Sequence, residues 1–233
     1  MTIDKDLRPR DPGECVILLH GLFRTRLSMR FLEKKLTRLG YATMNLSYPS
    51  TRAPIRNLAE NHLAHWVSKC LAAGAHRIHF VTHSMGGILV RQYLENHSLP
   101  PDSRVVMLSP PNQGTEIVDH LRNIWGVDVI IGPAGLELGT GPDSVPNRLG
   151  RVSVQVGVIA GQRSLNPIFS ALIPGPDDGT VPVSRTRLDG MTDFQVVPCT
   201  HTFIMRHPEV VRQTAYFLTH GRFDHPVDSE KSP

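Results

Sequence analysis

The chain has 233 residues, enough for one well-buried core, and its 40% hydrophobic and 20% charged residues are those of an ordinary globular domain. The formal charge is +4 and the pI about 9.2, but the cations are scattered (Arg24, Arg26, Arg30, Lys34, Lys35, Arg38), which speaks against a nucleic-acid-binding stripe and leaves only weak attraction to anionic membrane surfaces. No apolar run is long enough to span a bilayer, and Met1 to Glu14 lacks the apolar core of a signal peptide, so a cytoplasmic protein is expected.

Taken in order, the segments alternate. Cys15 to Leu19 is a continuous apolar run, as in a strand buried on both faces. Leu27 to Leu39 has helical spacing, with Phe31, Leu32, Leu36 and Leu39 expected inward and Gly40 as C-cap. Tyr41 to Leu46 reads as a strand, Ser47 to Pro54 as a loop and Ile55 to Ala73 as a longer helix. A strand from Arg77 leads to Ser84, followed by a helix to about His97, and Arg104 to Leu108 is the next strand. This repeated β-α-β pattern predicts an α/β fold, a mostly parallel sheet with helices on both faces. Its ligand site is expected beyond the carboxyl ends of the strands.

The second half is less regular. Glu116 to Trp125 reads as a short helix, and Gly126 to Gly150 is rich in glycine and proline, with apolar Val129, Ile130, Ile131, Leu136 and Leu138. Segment 116–150 is expected to form a small cap or lid on a single domain spanning 1–233. Ser153 to Ala160 and Phe194 to Val197 read as strands, Asn166 to Pro174 is short and apolar, Glu209 to Leu218 reads as a closing helix, and Gly221 to Pro233 as a frayed tail. Three cysteines, Cys15, Cys70 and Cys199, form no C-x-x-C pattern. Reduced, buried thiols are expected, with neither a disulfide framework nor a zinc site.

The chemistry gathers around His83-Ser84-Met85-Gly86-Gly87. Strand, sharp turn with a central serine, then helix is the layout of a nucleophile elbow. Thr82 stands where such elbows carry a first glycine, and the plainer reading makes Ser84 only a helix N-cap. Three stretches converge on it. At His20-Gly21-Leu22-Phe23, the Leu22 N–H, together with that of Met85, can face a tetrahedral oxyanion, with His20 holding the loop. At Asp177-Asp178-Gly179, an acid after a late strand can orient an imidazole, while by itself the same triplet is a turn and a poor calcium site. His201 follows Asp178 by 23 residues at the end of the last strand. Cys199 is a minor rival nucleophile.

The order Ser84, Asp178, His201, with His20-Gly21-Leu22, Ser109-Pro110-Pro111-Asn112-Gln113-Gly114-Thr115 and Asp178-Gly179-Thr180-Val181-Pro182, resembles the α/β-hydrolases of the esterase/lipase kind, close to the small bacterial lipases. The resemblance runs from about Val16 to about Leu218 and favours Asp178 over Asp177. Asn112, where histidine is common, and Thr82 depart from the pattern. The resemblance implies acyl transfer to Ser84 with His201 as base, Asp178 as orienting acid, Leu22 and Met85 as oxyanion donors, and no metal or organic cofactor. Phe23 and Trp125 are candidates for contacting a hydrophobic ester or lipid substrate. A thioesterase, an acyltransferase or a non-catalytic module of this fold remain alternatives at this point, and the oligomeric state stays open.

Overall fold

The computed structural model describes residues 13–225. Six strands, β1 (Glu14–Leu19), β2 (Ala42–Leu46), β3 (Arg77–His83), β4 (Arg104–Leu108), β5 (Gln155–Gly161) and β6 (Asp193–Val197), form one sheet in the order β2-β1-β3-β4-β5-β6. All five pairings are parallel. Between them run α1 (Arg26–Arg38), α2 (Ile55–Leu58), a π-helical turn (Ala59–Leu63), α3 (Ala64–Ala72) and α4 (Met85–Leu94). The second half adds α5 (Glu116–Leu121), α6 (Val127–Leu136), α7 (Val145–Arg148), α8 (Pro167–Ser170) and α9 (Pro208–His220). A π-helical turn thus interrupts the helix expected over Ile55 to Ala73.

Both faces of the sheet are covered, which is why its central strands carry no exposed polar face. Ile17, Leu19, Phe80, Val105, Met107, Val156 and Val158 pack toward α2, α3 and α4. Their neighbours Val16, Leu18, Val81, Val106, Leu108 and Ile159 pack toward α1 and α9. The period-2 alternation therefore sorts residues between two apolar layers instead of between core and water. Thr25 caps α1 by accepting from the Leu27 N–H, and α1 turns Met29, Leu32 and Leu36 inward. Phe31, expected inward, is 40% exposed. The buried stripe runs 29–32–36, and Phe31 lies one residue, about 100° of helical rotation, off it.

Two further expectations are corrected. Cys15 at the start of β1 and Cys70 on α3 are joined as a disulfide with Cα atoms 6.4 Å apart, because α3 packs over β1 within one core layer. Only Cys199 is a free cysteine among the described residues. Residues 221–225 are held, not frayed: Phe223 is fully buried, its N–H donates to Asp193, and Gln213 Oε1 accepts from the Asp224 N–H. The remainder of the expected tail, 226–233, and residues 1–12 lie outside the described residues. The glycine-rich stretch after Trp125 carries α6 and α7, with Gly132 (φ 66°) and Pro133 marking a break inside α6.

Strand order reverses beside β1: β2 lies on one side of it and β3 on the other. That is the switch point where a crevice opens at the carboxyl ends. Two connections meet there, 20–25 after β1 and Ser84 after β3. Segment 116–150 is tied to the body nearby: Glu137 accepts from the Ile55 N–H, and Arg91 on α4 donates to the Pro146 and Leu149 carbonyls. No helix among the described residues is long and apolar enough to cross a membrane.

Candidate active site

Ser84 stands at the apex between β3 and α4 with φ 53° and ψ −125°. A side chain rarely adopts this region, so the surroundings must hold it there at a cost of about 1–3 kcal/mol. The hold is visible. The Ser84 N–H donates to the Leu108 carbonyl of β4 at 2.9 Å, and its own carbonyl accepts from Gly87 N–H at 2.9 Å. The helix starts hard against β1: a Cβ on Gly86 would stand 2.9 Å from the Leu19 carbonyl oxygen and 3.0 Å from that of His20. Gly21 is equally confined, since a Cβ there would lie 3.0 Å from Ser84 Cβ. Thr82, out of pattern in the sequence, is fully buried; a Cβ on Gly87 would come within 3.3 Å of its hydroxyl. Room missing at the first glycine position is thus found on the helix.

Among the described residues, the N–H groups of Leu22 and Met85 have no hydrogen-bond partner. The Met85 N–H belongs to the first turn of α4, where the helix itself offers no acceptor and the macrodipole is positive. The loop carrying Leu22 is braced by His20. The His20 Nδ1–H donates to the Gly21 carbonyl at 2.8 Å, its Nε2 accepts from the Tyr48 N–H at 3.3 Å, and its ring stacks on Tyr48 with centroids 4.1 Å apart. The Tyr48 hydroxyl donates to the His20 carbonyl. These bonds use the neutral ring, and burial holds the His20 pKa below its ordinary value.

Asp178 and His201 form the second half. His201 Nδ1 and Asp178 Oδ2 are 2.8 Å apart, and since a carboxylate oxygen only accepts, Nδ1 carries the hydrogen and Nε2 is left as the basic nitrogen. The other oxygen, Oδ1, accepts from the Thr180 and Val181 N–H groups at 3.0 and 2.9 Å. The His201 N–H also donates to the Asp178 carbonyl at 2.9 Å. Asp177 faces elsewhere, accepting from Gly179 N–H and the Ser170 hydroxyl as a turn residue. Cys199 is a poor nucleophile: burial, and then the Asp178 charge, push its thiol up to about 12.

The link between the two halves escaped the reading of the sequence. His83, immediately before Ser84, is buried, and its Nε2–H donates to the His201 carbonyl at 2.9 Å. The two rings lie 4.7 Å apart by their centroids. Burial, then the neighbouring His201, keep the His83 pKa well below its ordinary value. A buried polar ring at the last position of β3, directly before the serine, was the available signal. Ser84 Oγ itself has no hydrogen bond to His201 or to any other described residue, a looseness common before substrate binds. Asn112 also has a role unseen in sequence: its carbonyl accepts from Arg91 and its amide donates to the Thr186 carbonyl, fixing the loop after β4.

The two aromatic candidates separate. Phe23, with φ 57° and 57% exposed, lines a cleft of about 320 Å³ with Leu27, Thr202 and Phe203. Trp125 is 99% exposed between α5 and α6 and joins neither this cleft nor a second, of about 440 Å³, lined by Leu165, Cys199, Phe203 and Arg206.

Solved structures with the same fold include the Bacillus licheniformis lipase BlEst2 in mature form, at 18% identity over 92% of this chain and 94% of that one, with a TM-score of 0.70. Phospholipase PlaB from Legionella pneumophila is similar over 90% of this chain and 59% of that one, at 17% identity and a TM-score of 0.65. The metagenomic carboxyl esterase MGS0156 is similar over 84% of this chain and 67% of that one, at 20% identity and a TM-score of 0.62. No curated protein matches the chain by sequence. The profile of the alpha/beta hydrolase family matches residues 16–214, and with the six-stranded parallel sheet and its helices on both faces, the chain belongs to that family.

Proposed function

We propose that this α/β-hydrolase cleaves carboxylic esters of hydrophobic acyl groups through an acyl-enzyme on Ser84, with His201 as general base and Asp178 as its orienting acid. One observation carries the reading. The hydrogen-bonded Asp178–His201 pair is tied to His83, the residue immediately preceding a strained, apical serine. An N-cap serine would need none of this apparatus, and its side chain makes no cap hydrogen bond here.

A serine hydroxyl is a weak nucleophile near neutral pH until a base takes its proton. In this reading, His201 Nε2 removes the proton as Ser84 Oγ bonds to the ester carbonyl carbon. The negative charge that develops on the carbonyl oxygen is met by the free N–H groups of Leu22 and Met85, each contributing on the order of 3 kcal/mol. The imidazolium then protonates the leaving alcohol, and the C–O bond breaks. Water repeats the sequence on the acyl-enzyme and restores Ser84. Asp178 remains a carboxylate throughout, holding His201 in the tautomer with hydrogen on Nδ1. The residues supply all of these steps, and no cofactor enters the scheme. Phe23 is assigned to the acyl or alcohol side of the substrate, and Trp125 joins only if segment 116–150 folds over the cleft. That segment is assigned the role of a cap.

A fluorophosphonate probe tests the reading directly. It should label Ser84 alone, as located by mass spectrometry, and Ser84→Ala should abolish both labelling and hydrolysis of activated aryl esters. Hydrolysis unchanged in a folded Ser84→Ala protein would sink the mechanism. Aryl esters of graded chain length then measure the acyl preference; a preference for acetyl would replace the hydrophobic substrate with a small one.

A further inference from the structure

Apolar and basic side chains share one rim of this molecule. Twelve large apolar side chains are exposed among the described residues, and all but Leu71 lie in loops or early helix turns beyond the carboxyl ends of the strands. Leu71 sits at the opposite end, in the last turn of α3. Single exposed apolar residues are ordinary, whereas their confinement to one end is informative.

Charge divides that end into two sides. Segments 21–30, 162–176 and 198–207, which follow β1, β5 and β6, bear Arg24, Arg26, Arg30, Arg163 and Arg206 and no aspartate or glutamate. None of these five arginines is in an ion pair among the described residues. Segment 116–150 instead mixes signs, with Glu116, Asp119, Asp128, Glu137 and Asp143 against Arg122 and Arg148. Two clefts lie along these arginines, one lined by Arg163, Thr200 and Arg206 and the other by Arg24, Thr202 and Arg206, and Phe203 borders both. Interleaved with the arginines are Phe23, Leu27, Leu165 and Phe203, all exposed.

We infer that this rim docks the protein on an anionic lipid bilayer. Guanidinium groups meet the phosphates at the surface, while the neighbouring apolar side chains enter the boundary between headgroups and acyl chains. A polyanion such as a nucleic acid would satisfy the arginines but leave the apolar side chains in water, and a neutral apolar partner would leave the charges unmatched. Docking by this side brings the His201 loop to the lipid surface. That the surface also delivers ester to Ser84 rests on the hydrolase reading, whereas the docking does not.

The test uses the full chain carrying Ser84→Ala, so that lipid is bound without being consumed. Co-sedimentation with phosphatidylcholine–phosphatidylglycerol vesicles should exceed that with pure phosphatidylcholine vesicles and should fall as salt is raised. Arg163→Ala and Arg206→Ala should each lower binding about fivefold, while Lys69→Ala, at the opposite end, should leave it unchanged. Equal binding to neutral and anionic vesicles, no vesicle binding at all, or equal losses from Lys69→Ala and the arginine variants would overturn the proposal. An acidic protein as the true partner would appear as the second of these outcomes. Hydrolysis of soluble aryl esters by the protein with Ser84 intact tests the catalytic reading separately, so either can fail alone.

Discussion

The Asp178–His201 corner and the seat of segment 116–150 both join parts of the chain that are distant in sequence, but by different physics. At the corner the join is polar and saturated. Both carboxylate oxygens of a buried aspartate are satisfied, and His201 is held by its ring, its N–H and its carbonyl. At the seat a close steric contact stands among scattered polar ones. Gly132, with φ 66°, lies so close to Thr51 that a Cβ would overlap the Thr51 carbonyl oxygen. Arg91, the Arg185–Glu116 ion pair, and the bonds of Glu137 to the Ile55 N–H and Glu95 to the Gly150 N–H hold the rest. Burial draws the Arg91 pKa down to about 10, still far enough above neutrality for the cation to persist. Polar saturation fixes angles as a proton-transfer geometry needs; steric contact fixes position and leaves an outer face with Trp125, Val129 and Ile130 exposed.

The largest expected effect comes from breaking the corner while sparing its shape. Asp178→Asn retains the two acceptor bonds of one oxygen but turns an amide toward His201 Nδ1, which favours the wrong tautomer. The turnover of an activated ester should fall by about 10⁴-fold, as for a triad acid. Asp177→Asn, altering only a turn, should cost far less. Equal losses from the two variants would remove the distinction drawn here between neighbouring carboxylates.

That contrast also explains what could be read in advance. Strand positions were legible because two-sided burial writes a continuous apolar run, and β4 occupies the expected Arg104–Leu108. Ser84, Asp178 and His201 could be named as candidates because the proposed chemistry restricts which residue types can serve, and the structure bonds Asp178 to His201 and sets Ser84 at the turn after β3. The Thr51–Gly132 contact writes no pattern, since any glycine looks like any other before folding. The Cys15–Cys70 disulfide and the His83–His201 bond span 55 and 118 residues, beyond any local periodicity. The same limit applies to Tyr48, read only as part of a loop, whose ring supports His20.

A smaller effect should follow at the seat. Gly132→Ala meets both a left-handed φ and overlap with backbone that cannot move aside as a flexible side chain would. Strain and overpacking together should cost about 3 kcal/mol, read as a lower unfolding midpoint in denaturant. Limited proteolysis should then cut first within 116–150. Unchanged stability and an intact segment would mean that the close contact with Thr51 does not hold segment 116–150.

The smallest effect concerns pH and returns to the corner. His83 is wholly inside, its Nε2–H donates to the His201 carbonyl, and burial followed by repulsion from His201 depresses its pKa well below the usual value. His20 is depressed in the same direction, chiefly by burial. The unfolded chain protonates both rings as pH falls through their ordinary value near ~6.5, while the folded chain resists. Below that value the unfolded state therefore binds more protons, and folding stability declines on acidification until the depressed folded pKa values are reached. Above it both states are neutral and these two rings add no slope. Each ring can contribute up to about 1.4 kcal/mol per pH unit within that window. His83→Gln keeps a side-chain N–H donor and removes one titration, so denaturant unfolding measured from about pH 7 to pH 5 should show a shallower loss than in the unsubstituted chain. Loss of turnover without a change in slope would show that the 83 side chain serves the corner but is not a proton-uptake site; an unchanged slope with unchanged turnover would dismiss the His83–His201 bond as a support of either kind.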